Sequence, residues 1–187
     1  MSDLELEIRG SVQKISGPGS RAINKIMQEQ ALPVIMDIIT DDVHAKAMDY
    51  ASGIESPAQK VPRQATHPIG QSDSGYSPTG ELSESIKIIH KDPTKKGIYR
   101  SVIAALLEYA SWVEFGTGIF GPRGEPIVPK GRGKNAVMVF EANGKTVFAK
   151  MILGQPPQPF MRGAMWYIID NFSQTRSKIQ SKFRSMK

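Results

Sequence analysis

The sequence predicts an α+β domain in which a small, mainly antiparallel sheet is packed by an N-terminal helical stretch and a long C-terminal helix. Three observations lead to this fold class. Residues 4–9 alternate apolar and charged side chains, residues 20–51 repeat apolar side chains at helical spacing, and two β-rich runs flank Asn143-Gly144. Because no internal repeat and no second domain are visible, residues 1–187 are interpreted as a single domain.

The N-terminal elements are an edge strand and a helical stretch. The alternation over residues 4–9 is short, which is typical of a strand at the edge of a sheet. Residues 10–19 are loop-like. Ser20 has the side chain of a good N-cap, and the helical spacing after it continues to about Ala51. Pro33 removes one backbone donor and crowds the preceding turn, so it predicts a kink or two abutting helices.

The middle of the chain predicts a long loop, two strands and a helix. Residues 53–80 are rich in Gly, Ser, Pro and Gln, and a loop of this length is usually functional or mobile. Residues 85–90 and 98–104 are candidate strands, and Asp92-Pro93 indicates a turn between them. Residues 106–115 follow helical spacing, with apolar side chains on one face.

The C-terminal third predicts a loop, a hairpin and a helix. Residues 116–133 are rich in Gly and Pro, and the β-rich runs 136–141 and 145–153 predict a β-hairpin because Asn-Gly accepts positive φ at both central turn positions. A helix follows from about Pro159 to Arg184, since proline suits the first helical position. Its apolar stripe packs either on its own sheet or on a neighbouring subunit's helix. The stripe consists of Met161, Met165, Ile168, Phe172, Ile179, Phe183 and Met186.

The composition indicates a basic protein without cysteine chemistry. The net charge is +6, and the absence of cysteine excludes disulfides, thiolate metal sites and cysteine nucleophiles. The lack of cysteine fits assembly in a cytoplasm. No apolar run is long enough to span a membrane, and the N-terminus lacks the features of a secretory signal. The basic excess forms two clusters, which are either solvated surfaces or surfaces facing a phosphate backbone. One follows Asp170; the other comprises Arg123, Lys130, Arg132 and Lys134.

The sequence contains no convincing catalytic constellation. The three histidines, His44, His67 and His90, fall in three different elements and have no ligand partner at helical spacing, so we expect no metal and no cofactor. Glu114 lies among aromatic residues, and burial there would raise its pKa and could make it a general acid. The commoner explanation is that Glu114 satisfies backbone donors or an arginine at a tight turn. We therefore expect that the protein is not an enzyme.

Three short blocks resemble the minor head–tail connector, or tail-completion, family of long-tailed bacteriophages. TGELSESI at 79–86 is similar to the family's entry into its first long strand, YASWVEFGT at 109–117 is similar to its YA-x-x-VEFGT motif, and QPFMRGAM at 158–165 is similar to the start of its final helix. The blocks occur in the family's order. The positions that carry the resemblance are Thr79, Gly80, Leu82, Tyr109, Glu114, Phe115, Gly116, Thr117, Pro159, Phe160 and Arg162.

This resemblance implies a structural virion protein that forms a ring in the phage neck. The ring would join the DNA-filled head to the tail and let DNA pass without sequence specificity, with six-fold symmetry favoured and twelve-fold second. Its neighbours would be head-completion or connector proteins and tail terminator or tube proteins. The four basic residues at 123–134 would face the DNA lumen or an acidic ring partner. The sequence departs from the family in its longer linker at 53–77 and in a basic loop and hairpin inserted at 119–155.

Two further expectations concern the blocks and the function. Gly80 and Gly116 permit turns that a Cβ would hinder, and Phe115 and Phe160 suit the anchoring of loop ends on the core. Arg162 is expected to pair with Glu114. The alternative function is that of a basic nucleic-acid-binding protein acting outside a ring, which would need aromatic residues interleaved with Lys and Arg.

Overall fold

The computed structural model describes residues 4–11, 16–53, 79–94, 98–131, 136–142 and 144–186. The strands are β1 (Leu4–Ser11), β2 (Ile86–Thr94), β3 (Ile98–Ala105), β4 (Met138–Ala142) and β5 (Lys145–Ala149). The α-helices are α1 (Ser20–Ile26), α2 (Leu32–Ala51), α3 (Glu81–Ser85), α4 (Ala110–Phe115), α5 (Phe160–Asp170) and α6 (Phe172–Ser185). A π-helical segment (Met27–Ala31) and a 3-10 turn (Gly118–Phe120) complete the elements. Most of the predicted loop 53–80 lies outside the described residues.

The central sheet is antiparallel and has the order β1-β3-β2, so the α+β class and the edge position of β1 are confirmed. The turn predicted at Asp92-Pro93 is wrong, because Asp92 and Pro93 pair with Arg100 and Tyr99 inside β2. Proline is tolerated there because β2 is the other edge strand, where one side of the backbone needs no partner.

The core lies between one face of this sheet and the helices α2 and α5. Leu6 is opposite Ile103 in the sheet; Ile103 belongs to the apolar cluster that contains Val43 of α2, and Leu6 packs against this cluster. Phe160 and Ala164 of α5 are fully buried in the same cluster. α5 therefore closes the core beside α2, which explains why the third sequence block is rich in apolar residues.

The N-terminal helical stretch differs from the prediction at its start, whereas the expected division near Pro33 is confirmed. Gly19, with φ +78°, precedes the first helical residue Ser20, so Ser20 is not the N-cap. A π-helical segment separates α1 from α2, which has Pro33 in its first turn, and the Leu32 N–H donates to the Met27 carbonyl five residues earlier. The wider turn accommodates the proline ring, which would crowd a regular helical turn.

Two other predicted helices have different bounds. The helix predicted at 106–115 begins only at Ala110, because residues 107–109 form a turn. The single C-terminal helix is divided at Asn171, and Pro159 precedes α5 instead of occupying its first position. The apolar stripe is divided with it, since its first residues reach the core whereas Phe172 is exposed.

α6 is held to α2 mainly by polar contacts. Thr175 is buried, and its hydroxyl donates to Asp42 Oδ2 at 2.8 Å, while Lys178 Nζ donates to Asp42 Oδ1 at 2.6 Å. One carboxylate of α2 thus fixes the N-terminal half of α6. The final turns of α6, with Lys182 and Arg184, are exposed.

The predicted hairpin is confirmed. β4 and β5 are antiparallel, Val139 is opposite Phe148, and Gly144 has φ +69° in the turn; Asn143 lies outside the described residues. β5 ends at Ala149, earlier than predicted, and Ile152 then forms an isolated bridge with Ile127. No described side chain of the hairpin belongs to the core cluster or packs against it.

Candidate functional site: the joint between the three blocks

The centre of the site is the fully buried carboxylate of Glu114, which caps a helix to which it does not belong. Its Oε2 accepts the backbone N–H of Met161 at 2.9 Å, and its Oε1 accepts the backbone N–H of Arg162 at 3.1 Å. Both donors are in the first turn of α5, whose N-terminal flank is Pro159 and carries no capping side chain. Glu114, at the end of α4, supplies the missing acceptor and a negative charge at the positive end of the helix.

Arg162 of α5 completes this connection between α4 and α5, which we call the joint, and its pairing with Glu114 was expected from the sequence. Its Nε donates to Glu114 Oε1 at 2.8 Å, and its Nη2 donates to the Glu114 backbone carbonyl at 2.9 Å. The guanidinium carbon lies 4.6 Å from the centre of the Phe115 ring. One arginine therefore ties the first turn of α5 to two consecutive residues of α4, by a charge-assisted hydrogen bond and a cation–π contact.

Burial raises the pKa of the Glu114 carboxyl above its ordinary value, because a charge is disfavoured away from water. The hydrogen bonds from Arg162 and Met161 favour the charged form and oppose this effect. Within the part of the chain that the structure describes, no group of His, Asp or Glu is placed to hold a metal ion. The carboxylate is thus occupied by structural donors, which is the second of the two explanations that the sequence left open.

A backbone clamp joins the second block to the segment before α5. Thr117 N–H donates to the Gln155 carbonyl at 2.9 Å, and Ile119 N–H donates to the Leu153 carbonyl at 2.8 Å. The Thr117 hydroxyl accepts the Gln155 N–H at 2.9 Å, and Gln158 N–H donates to the Val113 carbonyl at 2.7 Å. After the insertion the chain therefore lies again beside residues 117–119, and backbone hydrogen bonds hold the two segments together.

Two glycines make this close approach possible. Gly116 has φ +76°, and a Cβ on it would lie 2.8 Å from the Gln155 carbonyl oxygen. Gly154 has φ +98°, and its Cβ would lie 2.2 Å from the Thr117 carbonyl oxygen. Both positions need a left-handed backbone and leave no space for a side chain. The sequence pointed to Gly116 through its block, whereas Gly154 was missed because nothing in the sequence pairs it with Thr117.

The first block enters the same region through α3. Gly80, with φ +89°, precedes the helix, and its carbonyl accepts the Ser83 hydroxyl at 2.8 Å. Leu82 is fully buried in the cluster that contains Phe160. Tyr109 of the second block has a raised pKa, first because of its burial and second because of the negative charge of Glu81. All three blocks thus converge on one part of the core, while Thr79 is exposed at its margin.

The predicted basic cluster lies away from this joint. Arg123 and Lys130 are exposed in the loop after the 3-10 turn, and neither is in an ion pair with a described residue. Arg132 and Lys134 lie outside the described residues. No helix of the described part of the chain has the length and apolar character that a membrane crossing requires.

Comparison with known proteins identifies the family. A comparison with curated proteins and with solved structures gave no match. Residues 7–116 match the model of the HK97-gp10-like family, which is described as a tail component of bacteriophage HK97. This region runs from within β1 to the glycine that follows α4, so it includes most of the central sheet, the first block, and the second block except Thr117. Since the match extends over more than half of the chain, the protein belongs to the HK97-gp10-like family of structural bacteriophage tail components.

Proposed function

We propose that this protein is a non-enzymatic subunit of a ring in the phage neck, where it joins the DNA-filled head to the tail and lets DNA pass. The observation that supports it most is the family match to a phage tail component. The geometry is consistent with a building block, because the buried carboxylate of the joint links α4 to the first turn of α5.

A ring subunit needs a fixed angle between the surfaces that meet its two neighbours, since a closed ring repeats one head-to-tail contact around an axis. The joint supplies such rigidity. Glu114 and Arg162 fix α5 against α4, and the backbone clamp at Thr117 fixes the base of the insertion to the same point. A six-fold ring is our first choice, and a twelve-fold ring is the second.

The basic surface of the insertion has two possible roles in such a ring. Arg123 and Lys130 are exposed, and Arg132 and Lys134 follow closely in the sequence. We propose that these four side chains face the DNA lumen or an acidic ring partner. If these side chains face the DNA lumen, their contacts with phosphates are independent of base sequence, as the passage of a whole genome requires.

The neighbours of the ring would be head-completion or connector proteins on one side and tail terminator or tube proteins on the other. Assembly would take place in the host cytoplasm, before the finished virion leaves the cell. This arrangement requires no cofactor and no catalytic residue in the protein.

The direct test is electron cryo-microscopy of virion necks, compared between wild-type particles and particles whose subunit carries a small added domain. The expected result is extra density at the head–tail junction, repeated six times or twelve times around the tail axis. Extra density at the tail tip, or a single copy in each particle, would contradict the proposal. In a second assay, charge reversal by R123E and K130E should impair tail joining or DNA retention, and unchanged particles would argue against the role of these residues.

A basic nucleic-acid-binding protein acting outside a ring is the competing function. The exposed end of α6, with Arg176, Lys182 and Arg184 and no acidic residue, is the observation that favours it. Titration of duplex DNA at several salt concentrations discriminates between the two. A free DNA-binding protein loses affinity steeply as salt rises, whereas an unassembled ring subunit should bind little DNA at any salt concentration.

A further inference from the structure

The last helix, α6, is attached to the rest of the subunit by mainly polar contacts. No described residue of α6 belongs to the apolar core cluster or packs against it. Among its described residues only Thr175 is buried, and the contact there consists of the hydrogen bonds that Thr175 and Lys178 donate to Asp42. An element that contributes no side chain to the core can leave its place with little loss of stability in the rest of the fold.

A single residue separates α6 from α5. Asn171 has φ −106° and ψ 27°, whereas the residues on both sides of it are helical. The apolar stripe that starts at Met161 continues through this break to Met186, a pattern that favours one straight helix. A helical Asn171 would join α5 and α6, and it would carry the 14 residues of α6, about 21 Å in length, away from their own α2.

The helices α6 and α2 have opposite charge where they face each other. α6 has four basic residues and no acidic one, whereas α2 has four aspartates and one lysine. The two helices form a groove of about 770 Å³, which Asp41 and Asp42 line on the α2 side and Lys178 and Lys182 line on the α6 side. Every copy of the chain therefore carries a surface that fits α6, and the contact of Lys178 Nζ with Asp42 Oδ1 at 2.6 Å is part of this fit.

We propose that α6 is exchanged between neighbouring copies of this chain. Asn171 becomes helical, α5 and α6 form one straight helix, and the α6 of one copy occupies the groove on the α2 of the next. Thr175 and Lys178 then make with Asp42 of the neighbouring copy the hydrogen bonds that they make within the free subunit. A second copy is the partner that this surface fits, because the subunit's own α6 already occupies it.

This exchange gives a contact that suits a ring. Exchange of an identical element leads readily to assembly, since the contact surface already exists in each subunit. The helix that is donated and the groove that accepts it are different surfaces of one molecule, so the contact is head-to-tail and can continue around an axis. The inference rests on the proposed ring and names the contact by which the ring closes.

Introduced cysteines report the exchange without background, because the chain contains no cysteine. Ala45 and Gln174 are exposed, and both line a cleft of about 220 Å³ between α2 and α6. In the free double variant A45C/Q174C, a short bismaleimide should link the two cysteines within one chain. In assembled particles that mix the variant A45C with the variant Q174C, the expected result is a covalent dimer of the two.

The matched control for this cross-link mixes A45C with Q180C. Gln180 is exposed on the same helix, and it lies about 140° around the helix axis from the buried Thr175. Its side chain is therefore directed away from α2, and this mixture should give no dimer above the background of random encounters.

Substitutions at Asn171 provide a second test in the full-length protein. N171A favours the straight helix and N171G opposes it, because alanine has the highest helix propensity and glycine one of the lowest. At limiting subunit concentration, the yield of the dimer between A45C and Q174C copies should therefore be about fivefold higher with N171A than with N171G. Q180A and Q180G are the control pair, since residue 180 is helical in both arrangements and the two yields should agree.

The possible outcomes separate this inference from the proposed function. If A45C/Q174C subunits in a neck ring are linked only within each chain, the exchange is wrong and the ring remains. Equal dimer yields for N171A and N171G would also overturn the exchange, because it requires a helical Asn171. A particle with only one copy of the subunit would overturn both the exchange and the ring.

Discussion

The joint and the hairpin formed by β4 and β5, here called the hairpin arm, differ in where they place polar and apolar groups. In the joint a charged carboxylate, Glu114, is fully buried, and both of its oxygens accept hydrogen bonds. In the arm a large apolar side chain, Phe148, is mostly exposed and does not belong to the core cluster of the described residues. The comparison indicates that the joint serves the stability of the subunit, whereas the exposed side chains of the arm add little to it.

Among these variants, E114A should change the free energy of unfolding the most. It removes the acceptor from two backbone N–H groups and from the Arg162 guanidinium in a buried place. Leaving buried polar groups and a charge without a partner should lower the free energy of unfolding by about 3–5 kcal/mol. Urea denaturation, followed by circular dichroism, measures this change in the free energy of unfolding. The exposed E108A is the control and should stay within about 0.5 kcal/mol of wild type.

Two glycine-to-alanine substitutions compare the backbone near the joint with the backbone in the hairpin turn. G154A places a Cβ 2.2 Å from the Thr117 carbonyl oxygen and should destabilise the protein by about 2–3 kcal/mol. G144A, in the hairpin turn, also has positive φ but meets no atom within 4 Å. It should cost about 1 kcal/mol, since only the left-handed backbone is penalised. Equal melting temperatures for the two variants would show that the backbone clamp near Thr117 can shift to accept a Cβ at Gly154 with little loss of stability.

The pH dependence of stability tests the electrostatics of the joint. The folded state holds the Glu114 proton more tightly than the unfolded state, because burial raises the pKa of this carboxyl above 4.5. Its contribution to the free energy of unfolding should therefore increase as the pH falls from above the raised pKa to 4.5, and decrease as the pH rises. The measurement compares wild type with E114Q, which does not titrate. A pH dependence of the opposite sign would mean that the hydrogen bonds lower the pKa of Glu114 more than burial raises it.

The variant F148S should have the smallest effect on the folded subunit. Because this side chain is already exposed, the free energy of unfolding should change by no more than about 0.5 kcal/mol. Because exposed apolar side chains mark interaction surfaces, the yield of infectious particles should nevertheless fall. Complementation of a phage that lacks the gene, scored as infectious particles, measures this. A large loss of stability would place Phe148 in the subunit's own core and would remove the contrast between the two regions.

The sequence predicted the fold class because periodicity reports which face of an element is buried. The edge strand, the central strand and the hairpin were confirmed, since alternation and Asn-Gly are local signals. The turn at Asp92-Pro93 was wrong, because a proline at a sheet edge is locally indistinguishable from one in a turn. The break at Asn171 was missed because the apolar stripe continues through it.

The joint was predictable only in part. The pairing of Glu114 with Arg162 was expected and is confirmed, since both residues belong to recognisable blocks. The capping of α5 by the same carboxylate could not be foreseen, because the two residues are far apart in sequence and no local pattern encodes a cap from another helix. Gly154 was missed for the same reason: its need for space arises from a segment that is distant in the chain.

The π-helical segment at Met27–Ala31 has a consequence for the phase of the N-terminal helices. Such a segment holds one residue more than an α-helix of the same length, and each residue turns the helix by about 100°. Deleting one residue between Ile26 and Leu32 should therefore keep α1 in phase with α2, whereas replacing Pro33 by alanine should leave the extra residue in place. The π-helical turn therefore absorbs the surplus residue, so that the helical residues on its two sides keep the same relative phase.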